Sequence, residues 1–189
     1  MDSFPAIEID KVKAWDFRLA NINTSECLNV AYGVDANYLD GVGVSITSIV
    51  LNNRHINLDF YIIADVYNDG FFQKIAKLAE QNQLRITLYR INTDKLQCLP
   101  CTQVWSRAMY FRLFAFQLLG LTLDRLLYLD ADVVCKGDIS QLLHLGLNGA
   151  VAAVVKDVEP MQEKAVSRLS DPELLGQYFN SGVVYLDLK

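Results

Sequence analysis

Arg125-Leu-Leu-Tyr-Leu-Asp-Ala-Asp-Val-Val134 is the stretch whose reading decides the fold. Leu126 to Leu129 form an apolar run long enough for one buried strand. Two carboxylates, Asp130 and Asp132, follow with one small residue between them. A strand ending in Asp-x-Asp sets two oxygen donors at a sheet edge. In open α/β sheets, ligands bind at the carboxyl ends of the strands. Carboxylates this close repel one another unless a cation lies between them. Hard oxygen ligands suit Mg²⁺ or Mn²⁺, ions commonly shared with substrate phosphates. Asp130 and Asp132 are therefore read as holders of a divalent ion that bridges to a diphosphate. Asp after a strand is also an ordinary turn former, so the rest of the chain has to discriminate.

Upstream, residues 28–34 form a β-type run that ends at Asp35, and residues 35–38 form a turn. Residues 42–51 read as a buried helix despite many β-branched residues. Residues 58–64 read as a second strand ending at Asp65, residues 71–81 as a helix and residues 84–89 as a third strand. Residues 106–119 predict one strong helix with Tyr110, Leu113, Phe114 and Leu118 on one side. Downstream, residues 139–143 predict a short helical piece and residues 150–155 a fully buried strand. Residues 173–178 predict a short helix and residues 181–186 a last strand. Strands alternating with helices argue for an α/β fold with a mostly parallel sheet flanked by helices. The carboxyl edge of that sheet then collects Asp35, Asp65, Asp130, Asp132 and Asp157.

With 52% hydrophobic and 21% charged residues in 189, the chain is globular and large enough for one core. A net charge of -5 disfavours nucleic acid, which needs a basic footprint. No apolar run is long enough to span a bilayer, and the acidic start lacks the apolar centre of a secretory signal. The cytoplasm is the expected compartment. Residues 1–24 read as an N-terminal extension with Trp15 and Phe17 as anchors. Residues 25–189 read as an incomplete nucleotide-sugar-binding domain, because the chain stops directly after a strand. Cys98-Leu-Pro-Cys101 has half-site spacing, but no second pair matches it, so the four cysteines are read as reduced, non-catalytic thiols. His55 reads as a loop residue and His144 as helix surface or edge; neither is assigned as a ligand.

A nucleotide-sugar would need a base pocket, a diphosphate clamp and a sugar pocket. Asp35 can accept a hydrogen bond from a base edge, Asn37 can bond base or ribose, and Tyr38 offers a ring for stacking. Arg112 can neutralise phosphate or bond the sugar. Asp157 and Asn180 can bond sugar hydroxyls, and Gly182 permits close backbone approach. Each also has a bland reading: a turn cap for Asp35, core for Tyr38, helix surface for Arg112, a turn for Asn180 and a surface ion pair for Asp157.

The ordered motifs Asp35-x-Asn-Tyr38, Ser106-x-x-x-Tyr-x-Arg-Leu113, Leu127-Tyr-Leu-Asp-x-Asp132 and Tyr178-Phe-Asn-Ser-Gly-Val183 resemble retaining glycosyltransferase family 8. Within it, the chain is most similar to bacterial lipopolysaccharide core α-1,3-galactosyl- and glucosyltransferases. The resemblance runs from about Leu28 to Lys189. It implies a GT-A type, Rossmann-like fold, a UDP-sugar donor, Mn²⁺ or Mg²⁺, and a lipopolysaccharide core acceptor met at the cytoplasmic membrane face. It implies base and ribose contacts for Asp35, Asn37 and Tyr38, metal ligation by Asp130 and Asp132, and donor-sugar contacts for Arg112, Asp157 and Asn180. Family members also carry a later His-x-x-Gly-x-x-Lys-Pro-Trp motif that completes the metal and diphosphate site, and a later segment near the reacting carbon. Neither lies within 189 residues, so the chain is expected to be the N-terminal portion of a longer protein, truncated at its C-terminus and inactive by itself. Peripheral membrane contact is expected of the missing part. No catalytic carboxylate is identified, which favours attack from the leaving-group face. The rival readings are a haloacid dehalogenase-type phosphatase, whose nucleophile also follows an apolar strand, and a non-catalytic UDP-sugar-binding fragment.

Overall fold

The computed structural model describes residues 8–18, 26–102 and 106–189. In these, the chain runs β1 (Ile9–Asp16), β2 (Cys27–Val34), α1 (Leu39–Asn52), β3 (Asn57–Ala64), α2 (Asp69–Asn82), β4 (Arg85–Ile91), α3 (Phe111–Leu119), β5 (Arg125–Leu129), β6 (Ala152–Lys156), α4 (Glu159–Leu169) and β7 (Phe179–Asp187). All seven strands join one sheet in the order β1-β4-β3-β2-β5-β7-β6. The expected parallel core is present: β2 pairs in parallel with β3 and β5, and β3 with β4. Both flanks are antiparallel, with β1 on β4, β7 on β5 and β6 on β7. The sheet is thus mixed. The antiparallel turn-back of β7 has a local cause. Gln162 of α4 donates through Nε2 to the Asp157 carbonyl (2.9 Å) and the Tyr178 carbonyl, and its Oε1 accepts from the Tyr178 N–H (2.9 Å). The start of β7 is thereby stitched to the end of β6, and the two must run in opposite directions.

The core follows the strand period of two. Leu28, Val30, Tyr32 and Val34 of β2 and Leu127 and Leu129 of β5 pack with the buried faces of α1 and α2. Ala31 of β2 and Leu126 and Tyr128 of β5 face the other side, against Leu119 of α3. Helix α1 is rich in β-branched residues with poor helix propensity. It forms because Leu39, Val42, Ile46, Ile49 and Val50 are buried at helical spacing, and burial outweighs propensity. Its end is fixed by Asn53, which is fully buried. Asn53 Nδ2 donates to the carbonyls of Ile49 (2.9 Å) and Gly137 (3.2 Å), and its Oδ1 accepts from the Ile139 N–H (2.8 Å). That residue ties the loop after Asp132 to α1.

Several local expectations are corrected. Residues 106–119 are not one helix. A 3₁₀ turn, Arg107–Tyr110, capped by Ser106, precedes α3 and shifts its register. The buried face is therefore Phe111, Phe114, Ala115 and Leu119, while Leu113 is exposed. Residues 150–155 do not form a fully buried strand. β6 is an edge strand with exposed Val154 and Val155, because only β7 covers it. The helix expected at 173–178 is only a 3₁₀ turn at Pro172–Leu174, and α4 was not anticipated. Pro160 sits in the first turn of α4, where its missing N–H costs nothing.

Within the segment expected as an N-terminal extension, residues 9–16 form β1; residues 1–7 and 19–25 lie outside the described residues. Trp15 packs against Phe72 with ring centroids 6.3 Å apart, whereas the Phe17 ring is exposed. Arg18 pairs with buried Asp59 at 3.1 Å, pinning the end of β1 to the foot of β3.

Gly33 of β2 lets the start of α3 approach the sheet: a Cβ there would lie 2.8 Å from Phe111 Cβ and 3.2 Å from the Arg112 nitrogen. Gly33→Ala is expected to cost about 1–3 kcal/mol through overpacking. Urea denaturation of the two chains measures it; an unchanged midpoint would refute that tight approach.

Candidate functional site

From β2 the chain winds outward through β3 to β4, then returns across β2 to place β5 on its other side. Sheets that reverse winding in this way open a crevice at the carboxyl ends of the two diverging strands. β2 and β5 pair at Val30–Leu127 and Ala31–Tyr128. Beyond that pairing, a cleft of about 350 Å³ is lined by Gly33, Val34, Asp35 and Tyr38 from the β2 side, and by Asp130, Ala131 and Asp132 from the β5 side. Ser106, Ala108, Met109 and Arg112 close it from the turn before α3 and from α3 itself.

At the β2 end, Asp35 caps the 3₁₀ turn Ala36–Tyr38: its Oδ1 accepts from the Asn37 N–H at 3.0 Å. Its Oδ2 accepts from the Ser106 hydroxyl at 2.7 Å. Turn cap and cleft wall are thus the same carboxylate. The Tyr38 ring is not core; it is exposed in the cleft, where a planar group can stack on it. Ser106 opens one of the four motifs but has no role read from the sequence; here it holds Asp35 across 71 residues of chain.

At the β5 end, Asp130 continues the parity of Leu126 and Tyr128 and so faces α3. Arg112 Nη2 donates to Asp130 Oδ1 at 2.9 Å, its Nη1 to the Ser181 carbonyl, and its Nε to the Met109 carbonyl at 3.0 Å. Asp130 Oδ2 faces Gly182, where a Cβ would approach it to 2.8 Å. The close approach that Gly182 permits is therefore to Asp130. Burial pushes the Asp130 carboxyl above its ordinary range; Arg112 pulls it back, and the neighbouring Asp132 carboxylate pushes it up again. Asp132 itself is exposed at the cleft mouth.

Of the eight residues singled out by sequence, five share this cleft: Asp35, Tyr38, Arg112, Asp130 and Asp132. Asn37 lines an adjoining depression with Asp35, Asp65 and Ser106. Asn180 lies beside Asp130 at the start of β7, and its Oδ1 accepts from the Gly182 N–H at 2.8 Å. Asp157 stands at the end of β6 on the same sheet edge. Its Oδ1 accepts from the Val158 N–H at 2.8 Å, and it is not part of the cleft wall. The four cysteines are free, with Cys98 and Cys101 exposed and the Cys27 thiol pushed up to about 12 by burial. His55 lies 3.4 Å from Asp138 on the surface, remote from the cleft wall.

Among the described residues no three or more His, Cys, Asp or Glu side chains cluster as a metal cage. Two carboxylates opening on a cleft fit a hard ion that takes its remaining ligands from phosphate oxygens and water, and do not fit a closed zinc site.

The family model for glycosyl transferase family 8 matches residues 29–189. The chain is 40% identical to a lipopolysaccharide 1,2-glucosyltransferase of Escherichia coli over 97% of its length and 52% of the relative's. It is 36% identical to a lipopolysaccharide 1,3-galactosyltransferase of Salmonella typhimurium, over 92% of its length and 52% of that protein's. It thus spans about half the length of these relatives. Its fold is similar to that of the galactosyltransferase LgtC, solved with donor and acceptor sugar analogues, at a TM-score of 0.73 and 21% identity. That match covers 86% of this chain and 58% of LgtC.

A divalent ion held by Asp130 and Asp132, with Mn²⁺ as the probe, would raise the melting temperature at pH 7 by the equivalent of about 2.7 kcal/mol when the ion is in roughly 100-fold excess over Kd. Because burial pushes the folded Asp130 carboxyl above its ordinary range, this gain should begin to fade as the pH falls towards that range. Ionising a carboxyl whose folded value is raised weakens the metal-free fold as pH rises, so metal-free and metal-loaded melting curves should diverge with increasing pH. Thermal scans from pH 4 to 7 with and without Mn²⁺ test this; parallel curves would refute it.

Proposed function

Since the chain belongs to glycosyl transferase family 8, we propose that it binds a UDP-hexose in the cleft between β2 and β5. We further propose that the protein transfers galactose or glucose from it to a lipopolysaccharide core, with retention of configuration and dependence on Mn²⁺ or Mg²⁺. The observation that carries this reading is the meeting of Asp35 and Tyr38 with Asp130 and Asp132 at the switch of strand winding. One wall carries an exposed ring and a carboxylate, and the other carries two carboxylates, which supports a reading with base and diphosphate at the two walls.

In this reading Tyr38 stacks on uracil, Asp35 and Asn37 bond base and ribose, and Asp130 and Asp132 hold the ion. A divalent ion held there supplies Lewis-acid stabilisation of the departing diphosphate. Arg112, Asp157 and Asn180 face the hexose side, where Asn180 keeps its amide N–H groups for sugar hydroxyls while its Oδ1 serves the Gly182 turn. The bond to the sugar breaks through an oxocarbenium-like state. Among the described residues that line the cleft, the carboxylates Asp35, Asp130 and Asp132 are assigned to base or ion, and Asp157 to sugar hydroxyls. The proposed route to retention is attack from the face of the leaving group, with a diphosphate oxygen accepting the acceptor's proton. Trapping a covalent glycosyl-enzyme would overturn it.

No helix among the described residues is long and apolar enough to cross a membrane. A cytoplasmic enzyme that meets the lipid-linked acceptor at the membrane face is the proposed setting.

Calorimetry with UDP and Mn²⁺ tests the donor site. Saturable, metal-dependent binding is expected, and Tyr38→Ala should weaken it by about 1–3 kcal/mol through lost base stacking. ADP binding as tightly as UDP would refute the uracil assignment. Residues 1–189 alone are expected to bind donor but transfer sugar to a lipopolysaccharide core poorly, since their relatives are about twice as long; robust turnover by this chain would overturn that expectation.

A further inference from the structure

We propose that Cys98 and Cys101 form a thiol–disulfide switch, a modification site for small disulfides, whose closure loosens the hold of Ser106 on Asp35. Its effect on donor binding rests on the donor-site reading above; the thiol chemistry does not.

Cys98-Leu-Pro-Cys101 is a motif of the sequence that has no part in the cleft chemistry above. Both of its thiols are free and exposed. They sit where the chain turns back. The Leu99 N–H donates to the Leu96 carbonyl at 3.0 Å, and the path bends at Leu99 itself. A bend inside a four-residue stretch draws its two ends together, and a disulfide spans Cα atoms up to about 6.8 Å apart. The Cys98 thiol meets only a long contact to the Lys95 carbonyl, at 3.4 Å. The other two cysteines are less available. Cys27 is buried and its thiol is pushed up to about 12, so it supplies little thiolate. Cys135 is held between Gly137, whose carbonyl accepts from its Sγ at 3.1 Å, and Asn53.

The step is thiol–disulfide exchange with a low-molecular-weight disulfide such as oxidised glutathione. The thiolate of one cysteine attacks a sulfur of the oxidant and expels one thiolate. The thiolate of the second cysteine then attacks the mixed disulfide and expels the other. Two protein S–H bonds are lost and one S–S bond forms. The S–S bond of the oxidant is reduced to two thiols, which take up the two protons.

The output of the switch follows from what the motif holds. The Tyr110 hydroxyl donates to the Pro100 carbonyl at 2.9 Å, and Arg107 Nη2 donates to the Gln97 carbonyl at 3.3 Å. Each of these carbonyls belongs to the residue just before a cysteine. Because a peptide unit is planar, drawing the two cysteines together reorients both carbonyls. Their donors belong to the 3₁₀ turn Arg107–Tyr110, which starts from Ser106. Ser106 Oγ accepts from the Ala108 N–H at 3.3 Å and donates its one proton to Asp35 Oδ2 at 2.7 Å. Arg107 Nε is buried without a hydrogen-bond partner, so the turn leans on the two carbonyls. Cys101 itself lines the depression that Asp35, Asn37 and Ser106 share. Closure of the pair therefore acts on Asp35 through two hydrogen bonds and one cap.

The test equilibrates the chain in glutathione buffers from fully reduced to fully oxidised and maps its thiols by peptide mass spectrometry. The peptide holding Cys98 and Cys101 should lose the mass of two hydrogens and regain it with dithiothreitol. Amide hydrogen exchange across residues 106–110 should quicken in the oxidised chain. UDP affinity in the presence of Mn²⁺ should fall about fivefold or more, the effect of weakening one hydrogen bond. Cys98→Ser/Cys101→Ser should show neither response and bind UDP as the reduced parent does. A stable glutathione adduct in place of the crosslink overturns the switch. A crosslink that leaves amide exchange and UDP affinity unchanged overturns its link to Asp35. A reduced parent that binds no UDP refutes the donor-site reading instead, and amide exchange then still decides whether the pair controls the turn.

Discussion

The pairing of β2 with β5 holds together two parts of a sheet that wind away from each other, and the cleft exists because that pairing ends where it does. Residues Val30–Leu127 and Ala31–Tyr128 are paired across it; beyond them β2 leads into a 3₁₀ turn and α1, and β5 into the Asp130–Asp132 loop. Everything at the cleft is hung on this seam. Gly33 admits α3 against it from one side, while Val30 and Leu127 seal it against α1 and α2 on the other. Long-range hydrogen bonds then fasten the two departing segments: Ser106 to Asp35, Arg112 to Asp130, and Asn53 to the loop after Asp132.

Placing a carboxylate at the end of a buried strand is costly, since burial disfavours its charged form. At Asp130 the loss is only partly offset by Arg112, and the net effect is a carboxyl pushed above its ordinary range. The groups beside the Asp130 carboxylate are the Arg112 guanidinium and the backbone of Gly182. Asp59, at the opposite end of the sheet, is also buried and also raised by burial, but there Arg18 and Arg85 both pair with it. That cluster serves the sheet, anchoring β1. Two buried aspartates in one sheet thus differ in use according to which strand end they occupy.

Family membership, the α/β class and the parallel core were legible because they rest on local signals: apolar runs of strand length, helical spacing in 71–81, and four ordered motifs. The errors have a common origin too. The run at 150–155 is apolar enough for a central strand, but position in the sheet is a global property, and the chain inserts β7 between β5 and β6. The face of α3 was misassigned because a 3₁₀ turn consumes its first residues, and helical phase cannot survive a change of pitch. Helix α4 escaped notice because its surface is largely polar, with only Gln162 and Ala165 buried.

The sequence by itself determined which side chains reach the carboxyl edge, because a strand's period and its terminal residues are local facts. That is why Asp35, Asp130 and Asp132 could be named from spacing alone. Only the tertiary structure decided which of them meet, and what each one touches. The Asp35–Ser106 and Arg112–Asp130 contacts, the exposure of Tyr38 and the position of Asp157 outside the cleft wall all depend on the order in which strands lie in the sheet. Strand order is set by packing and hydrogen bonding between segments far apart in the chain, and no local pattern encodes it.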